Sequence, residues 1–267
     1  YDNPILEGEF PLDRSRLQAL IPPIVEAPAF ALRKKAVKIF TLDEYVASGI
    51  IRPLSQEYLE RVVRRAKVEK GVSMHPVEVI RDAIRTQKNI LVVGGTGSGK
   101  TTLANAILAE FPAICPNDRV ITIEDTRELQ IKVDNIVSLR TSDTISMQRL
   151  LRATMRLKPN RIIVGEVRGG EALALLKSWN TGHPGGVATL HADSDYEGLI
   201  RLEQLIEENP DIKANPQVIA TAVKLVIFIE PINEKPGRLV TRISEVLGYE
   251  GGRYLLKPIQ EFSHDAS

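Results

Sequence analysis

The sequence predicts an α/β domain built on a parallel-rich sheet, preceded by a smaller α+β segment. Three observations point there. From His75 onward, apolar runs of strand length alternate with helical patterns. A glycine-rich turn, Gly94 to Thr102, joins one such run to an Ala- and Leu-rich helical stretch, the strand–loop–helix order of doubly wound sheets. The N-terminal stretch has a different texture, broken by Pro4, Pro11, Pro22, Pro23 and Pro28 into short extended pieces.

Each element has a local cause. Thr41-Leu-Asp-Glu44 is a capping box, and Gly49 closes the short helix it starts. After Pro53, Leu59, Val62, Val63 and Ala66 recur at helical spacing. The opposite face carries Arg61, Arg64, Arg65 and Lys67, a solvated surface or a contact with a neighbouring subunit or nucleotide. Val68 to Met74, around Gly71, reads as a linker, so the boundary falls between a 1–70 segment and a 71–267 domain. Pro76 starts a helix with Val77, Ile80 and Ile84 on one face. Strands read at 89–93, 119–124, 135–140, 161–165, 186–190 and 224–229, several as Ile/Val runs suited to burial on both faces. Helices read near 100–110, 146–157, 170–181, 195–208 and 216–223. Leu239 to Phe262 alternates around Glu250-Gly251-Gly252 as a hairpin would.

Composition narrows the function. At 267 residues with 43% hydrophobic and 26% charged residues, the chain reads as a globular protein of one large or two ordinary domains. A net charge of +1 and 5% aromatic residues offer neither a global field nor a stacking platform for nucleic acid, so no direct nucleic-acid partner is expected. The single cysteine, Cys115, excludes an internal disulfide and a multi-cysteine zinc site; it reads as a buried or loop thiol. No apolar run approaches a membrane span, so membrane association is expected to be peripheral. The chain starts at Tyr1 rather than Met, which leaves room for a preceding segment, and no signal peptide is expected.

The run Gly94, Gly95, Thr96, Gly97, Ser98, Gly99, Lys100, Thr101 and Thr102 completes the phosphate-loop pattern G-x-x-x-x-G-K-[ST]. Its glycines let consecutive backbone N–H groups point at phosphate oxygens, and the helix N-terminus adds positive dipole. Lys100 can reach the β- and γ-phosphates, and the Thr101 hydroxyl can ligate Mg²⁺. These residues make ATP and Mg²⁺ the expected ligands.

Phosphoryl transfer also needs a metal-shell carboxylate, a water-orienting group and positive charge. Arg161-Ile-Ile-Val-Gly-Glu166 ends a strand in a carboxylate able to hold the magnesium shell or polarise water. Ile121-Thr-Ile-Glu-Asp-Thr-Arg-Glu128 ends another in Glu124 and Asp125, with Glu128 further along. Glu124 is the chosen water-orienting base, since close carboxylates disfavour double ionisation. Thr181-Gly-His-Pro-Gly-Gly-Val-Ala-Thr-Leu-His191 places His183 at a helix end and His191 at a strand end, where it can donate a hydrogen bond to the γ-phosphate. Arg127, Arg140, Arg156 and Arg168 lie near element ends, as ion-pair partners or as charge for a nucleotide in the same or a neighbouring subunit.

The joint occurrence of GGTGSGKTT, ITIEDTREL, LLRATMRLKPNRIIVGEVRGGEA and TGHPGGVATLHAD, from about Leu91 to Leu205, resembles the secretion and conjugation motor ATPases. Within that superfamily the chain is most similar to the type IV secretion branch and its conjugal-transfer members. Type II secretion ATPases usually carry a four-cysteine zinc motif, for which one cysteine does not suffice. The resemblance implies a RecA-like P-loop ATPase domain and a smaller N-terminal domain joined to it by a flexible linker, and the N-terminal domain is expected to move against the ATPase domain about residues 68–75. It implies a homohexamer on the cytoplasmic face of the bacterial inner membrane, working with inner-membrane secretion or conjugation proteins.

Residue by residue, Lys100 and Thr101 match the phosphate and magnesium contacts, Glu124 and Glu128 the acidic box, and Glu166 the Walker B carboxylate. His183 and His191 match the histidine box, and Arg156 and Arg168 the arginines flanking Walker B. Arg33, in a segment resembling one that approaches the nucleotide, is a weaker match; Asn160 stands where the family often has Asp. The implied function is an ATP-hydrolysing motor for type IV secretion or conjugal DNA transfer. A type II secretion or pilus-retraction ATPase would share the chemistry; a small-molecule kinase and a nucleotide-gated scaffold are the readings from other classes.

Overall fold

The computed structural model describes residues 3–10, 15–34, 38–52 and 75–261. The expected helix after Pro53 and the linker Val68 to Met74 lie outside the described residues, as does the expected boundary at 70/71. The chain divides into two compact units, Tyr1–Ile39 and Phe40–Ser267.

The described part of the first unit is an antiparallel three-stranded sheet, β1 (Ile5–Glu9), β2 (Arg16–Leu20) and β3 (Ala29–Arg33) in that order. The capped helix α1 (Leu42–Ala47), which the sequence reading grouped with these residues, packs instead in the second unit. The Thr41 side chain accepts from the Glu44 amide and the Glu44 carboxylate accepts from the Thr41 amide. Leu42, Tyr45 and Ile51 are buried in a core shared with the helices around the phosphate loop.

The second unit carries an eight-stranded sheet in the order β11-β10-β9-β4-β8-β7-β5-β6. Its strands are β4 (Ile90–Gly94), β5 (Val120–Glu124), β6 (Ile136–Arg140), β7 (Arg161–Val167), β8 (Val187–His191), β9 (Leu225–Pro231), β10 (Arg238–Glu250) and β11 (Arg253–Glu261). The six from β9 to β6 run parallel; β10 and β11 close one edge antiparallel. The hairpin turns on Gly251 and Gly252, both at positive φ, as a two-residue loop of this hand requires.

The helices are α2 (Pro76–Arg85), α3 (Lys100–Leu108), α4 (Phe111–Ile114), α5 (Met147–Thr154), α6 (Glu171–Asn180), α7 (Asp195–Glu207) and α8 (Pro216–Ala222). Period-2 alternation along β4 sorts the core. Leu91 and Val93 face a cluster with α5 to α8, while Ile90 and Val92 face one with α1 to α4. The central strands are therefore covered on both faces, which is why they read as unbroken apolar runs. Burial raises the Cys115 thiol to about 11, which leaves it a core packing group.

Candidate nucleotide-binding and catalytic site

The phosphate loop leaves the carboxyl end of β4 and enters α3. Gly94 is packed so tightly that a Cβ there would stand 2.2 Å from the Ile229 carbonyl oxygen and 2.6 Å from Ser98 Oγ. Gly97 and Gly99 sit at φ +73° and +100°, conformations open to glycine. The Gly99 N-cap supplies no side chain, so the first amides of α3 stay available to an anion. Lys100 is buried, and its Nζ donates to the carbonyls of Gly94 at 3.0 Å and Gly95 at 2.9 Å.

Strand register brings the catalytic candidates beside the loop. Gly94 pairs with His191 at the end of β8. Lys100 Nζ stands 3.4 Å and 3.3 Å from the two imidazole nitrogens, and His191 Nε2 lies 3.0 Å from Glu166 Oε1. The Arg168 Nε donates to Glu166 Oε2 at 2.7 Å, with a second, shorter contact from Nη2. Arg168 Nη1 also approaches Asp125 Oδ2 at 3.6 Å. Lys100, His191, Glu166, Arg168 and Asp125 thus form a continuous polar chain across the ends of four strands.

Burial holds the His191 imidazole below its ordinary pKa; Lys100 adds to this, Glu166 opposes it, and Arg168 adds again. The ring is therefore neutral at neutral pH. A neutral ring can donate from Nε2 to the Glu166 carboxylate.

β7 is irregular where it delivers Glu166. Its register with β8 slips between Val164 and Val167, a bulge-like re-aiming of the intervening pair. Gly165 in that pair admits the Glu124 side chain, whose Cγ would lie 3.0 Å from a Cβ there. Glu124 does not present a free carboxylate at the strand end. It is buried, and its Oε1 accepts from the backbone amides of Glu128 at 2.8 Å and Leu129 at 2.7 Å, folding the acidic loop back on itself.

The same loop is tied to α3 by a residue the sequence reading passed over. Asn105 donates from Nδ2 to the Glu128 carbonyl at 3.0 Å and accepts at Oδ1 from the Gln130 amide at 2.8 Å. Its signal was a buried amide on an otherwise apolar stretch of helix. Arg140 donates from Nε to the Asp125 carbonyl at 3.2 Å, and the Thr141 hydroxyl donates to Asp125 Oδ1 at 2.8 Å.

Other candidates within the second unit lie away from the loop. Arg156 is exposed after α5, just before the amino end of β7, and so lies at the edge of the sheet opposite its own phosphate loop. His183 is at that edge too, with Nδ1 2.8 Å from the Pro159 carbonyl oxygen, a structural contact. The Asn160 side-chain oxygen accepts from the Arg119 amide at 2.7 Å, a task an amide performs as well as a carboxylate. Arg127 is exposed on the acidic loop, and Arg33 lies in the first unit.

The residues fit a magnesium nucleotide. The buried Ser98 hydroxyl in the loop has no hydrogen-bond partner among the described residues. A concave space of about 390 Å³, lined in part by Gly95, Thr96, His191 and Arg201, opens beside the loop. No group of three or more His, Cys, Asp or Glu side chains among the described residues is built to hold a metal by itself.

A loop of this kind at the carboxyl end of a central parallel strand, with carboxylates from neighbouring strand ends, defines the class: a P-loop nucleotide-binding protein of RecA-like architecture. The chain belongs to the type II/IV secretion system protein family, which it matches over residues 44–247. The conjugal transfer protein TrbB of Rhizobium radiobacter is 45% identical over 268 residues, covering 99% of this chain and 76% of that protein. The type IV secretion system protein VirB11 of Bartonella quintana is 33% identical over 227 residues, covering 78% and 63%. Among solved structures, the VirB11 ATPase of Brucella suis in complex with sulphate superposes with a TM-score of 0.60 at 27% identity, covering 91% of this chain and 74% of that one. These relatives place the chain in the type IV secretion branch of a family of secretion ATPases.

Proposed function

We propose that the chain is the ATP-hydrolysing motor of a type IV secretion or conjugal DNA-transfer system, acting as a homohexamer. It would sit at the cytoplasmic face of the inner membrane with that system's membrane proteins. The carrying observation is the polar chain from Lys100 through His191 to Glu166 and Arg168, set beside the phosphate loop. No helix among the described residues is long and apolar enough to cross a membrane, in keeping with peripheral attachment.

In this reading the loop amides and Lys100 hold the β- and γ-phosphates, and water attacks the γ-phosphorus in line with the leaving oxygen. Thr101 and Glu166 would hold Mg²⁺, which when bound neutralises charge building on the phosphate oxygens. Lys100 exchanges its contacts with the Gly94 and Gly95 carbonyls for phosphate oxygens. Glu166 orients the attacking water, since its Oε1 faces a neutral His191 that can yield the position. Glu124 acts one step back, by fixing the acidic loop. Arg168 keeps the Glu166 carboxylate aimed through its contact with Oε2.

A steady-state phosphate-release assay tests the enzymatic half. Lys100→Ala should lose on the order of a hundredfold or more in turnover, as for removal of a charge-stabilising group in an active site. Equal turnover by wild type and Lys100→Ala would sink the catalytic assignment. The biological half is tested by mating. A conjugation-deficient donor lacking its own homologue should regain transfer with the wild-type chain and not with Lys100→Ala.

A further inference from the structure

The loop is flanked by a second arginine that no motif contains. β10 begins at Arg238, and its guanidinium crosses β9 to reach the phosphate loop. A Cβ on Gly99 would stand 2.5 Å from Arg238 Nη1 and 3.3 Å from its Cδ. Gly99 therefore has two reasons to be glycine: its φ of +100° and the guanidinium lying against it.

This placement gathers positive charge at the loop. Gly99 is the N-cap of α3, the positive end of the helix dipole, and the next residue is the buried Lys100. The Arg238 side chain forms no hydrogen bond or ion pair among the described residues. Its positive charge acts on Tyr45 of α1, a buried phenol. The guanidinium and a helix N-terminus converge on one loop, and an anion seated there meets both.

The side from which Arg238 arrives says which part of the anion it meets. Strand order puts β8 and β7, with His191 and Glu166, on one side of β4 and puts β9 and β10 on the other. The hydrolytic cluster marks the γ-phosphate side, so Arg238 flanks the loop at the opposite, nucleoside end. We propose that Arg238 is a nucleotide-positioning residue that holds the α-phosphate end of a nucleoside di- or triphosphate from the β10 side of the loop. The inference rests on the nucleotide-binding reading of the same loop and adds a residue to it. Arg238 also neighbours α1, whose following turn pairs with β10 through the Val240 amide and the Ile50 carbonyl at 2.9 Å.

The test is equilibrium binding of ADP and of a non-hydrolysable ATP analogue, each with Mg²⁺, to full-length wild type, Arg238→Gln and Arg238→Lys. Arg238→Gln should weaken both nucleotides alike, by roughly tenfold or more, as loss of one charge-assisted contact predicts. Arg238→Lys should recover part of that loss, and KM for ATP should rise while kcat at saturation changes less than about threefold. Unchanged binding in Arg238→Gln overturns the proposal. So does loss of the ATP analogue alone, which would move Arg238 to the γ-phosphate. A loss that Arg238→Lys does not recover, accompanied by a lowered melting temperature in both variants, assigns Arg238 to packing and also overturns it. Failure of the wild type itself to bind either nucleotide would instead remove the reading of the loop.

Discussion

His191 Nε2 lies 3.0 Å from Glu166 Oε1, while the ammonium of Lys100 stands within 3.4 Å of the same ring. A neutral imidazole thus separates the cation of the phosphate loop from the carboxylate of the adjacent strand. The imidazole meets one oxygen of Glu166 and the Arg168 guanidinium meets the other. The arrangement follows from register: β4 and β8 end together, with Gly94 opposite His191, and β7 lies next in the sheet.

The titration of His191 checks this geometry. Its midpoint, followed by NMR of the ring C–H, should fall below the ordinary value of 6.5. Lys100→Met removes a neighbouring cation and should raise the midpoint; Glu166→Gln removes the opposing anion and should lower it further. Because the folded-state pKa is depressed, the unfolded chain binds more protons between the lowered midpoint and 6.5. Stability should therefore be complete above about pH 6.5 and decline as pH falls through that window. His191→Gln should lessen the decline, read as a smaller change in melting temperature between pH 7 and pH 5.

Glu124 and Glu166 should respond differently to substitution. Glu124→Ala strands the amides of Glu128 and Leu129 that its Oε1 now satisfies, costing about 2–3 kcal/mol of stability in denaturant unfolding. Glu124→Gln keeps an acceptor oxygen and should cost under about 1 kcal/mol, with turnover within roughly tenfold of wild type. Glu166→Gln should unfold much like wild type and lose roughly a hundredfold or more in kcat, the usual scale for a positioned proton-handling group. A larger kcat loss in Glu124→Gln than in Glu166→Gln would return the water-orienting role to Glu124.

The sheet was legible because its central strands are covered on both faces. Ile90 to Val93 and Ile162 to Val164 can be little other than buried strands beside helices of the right period. The N-terminal stretch was less so. The Thr41 capping box announced α1 correctly, but a local signal says nothing of which core Leu42 and Tyr45 will enter. Lys100, Glu166, Arg168 and His191 were legible as strand-end and loop residues, and the sheet brings them together. Glu124 was legible as a strand-end carboxylate, but its bonds to the Glu128 and Leu129 amides were not, because those amides belong to a loop whose return path is set by tertiary contacts. Arg238 was hidden for a similar reason: it is near the loop only once β9 and β10 are laid beside β4.

Asn105 gives that hidden layer a test of its own. It spans α3 and the acidic loop with two hydrogen bonds, to the Glu128 carbonyl and from the Gln130 amide. Asn105→Ala should cost about 1–3 kcal/mol in global stability, from buried polar groups left unpaired. It should also speed amide hydrogen exchange at 126–130 relative to the neighbouring strands, and lower kcat with little change in KM. Unaltered exchange at 126–130 would separate Asn105 from the loop's positioning.

Arg156 provides the sharpest test of assembly. It precedes β7 at the amino edge of the sheet, whereas the phosphate loop lies at the carboxyl edge of the parallel strand β4. Strands of five to seven residues put roughly 17 Å or more between those edges, beyond the reach of an arginine side chain. If Arg156 contributes to hydrolysis, it does so at a neighbour's loop, across a heterologous ring contact. Arg156→Ala should then lower kcat by on the order of a thousandfold while leaving nucleotide binding to each protomer nearly intact. Mixing Arg156→Ala with Lys100→Ala protomers decides between the two arrangements. In trans, about a quarter of the interfaces in an equal mixture pair an intact loop with an intact arginine, and activity returns in that proportion. In cis no protomer holds both, and the mixture stays as inactive as its parents.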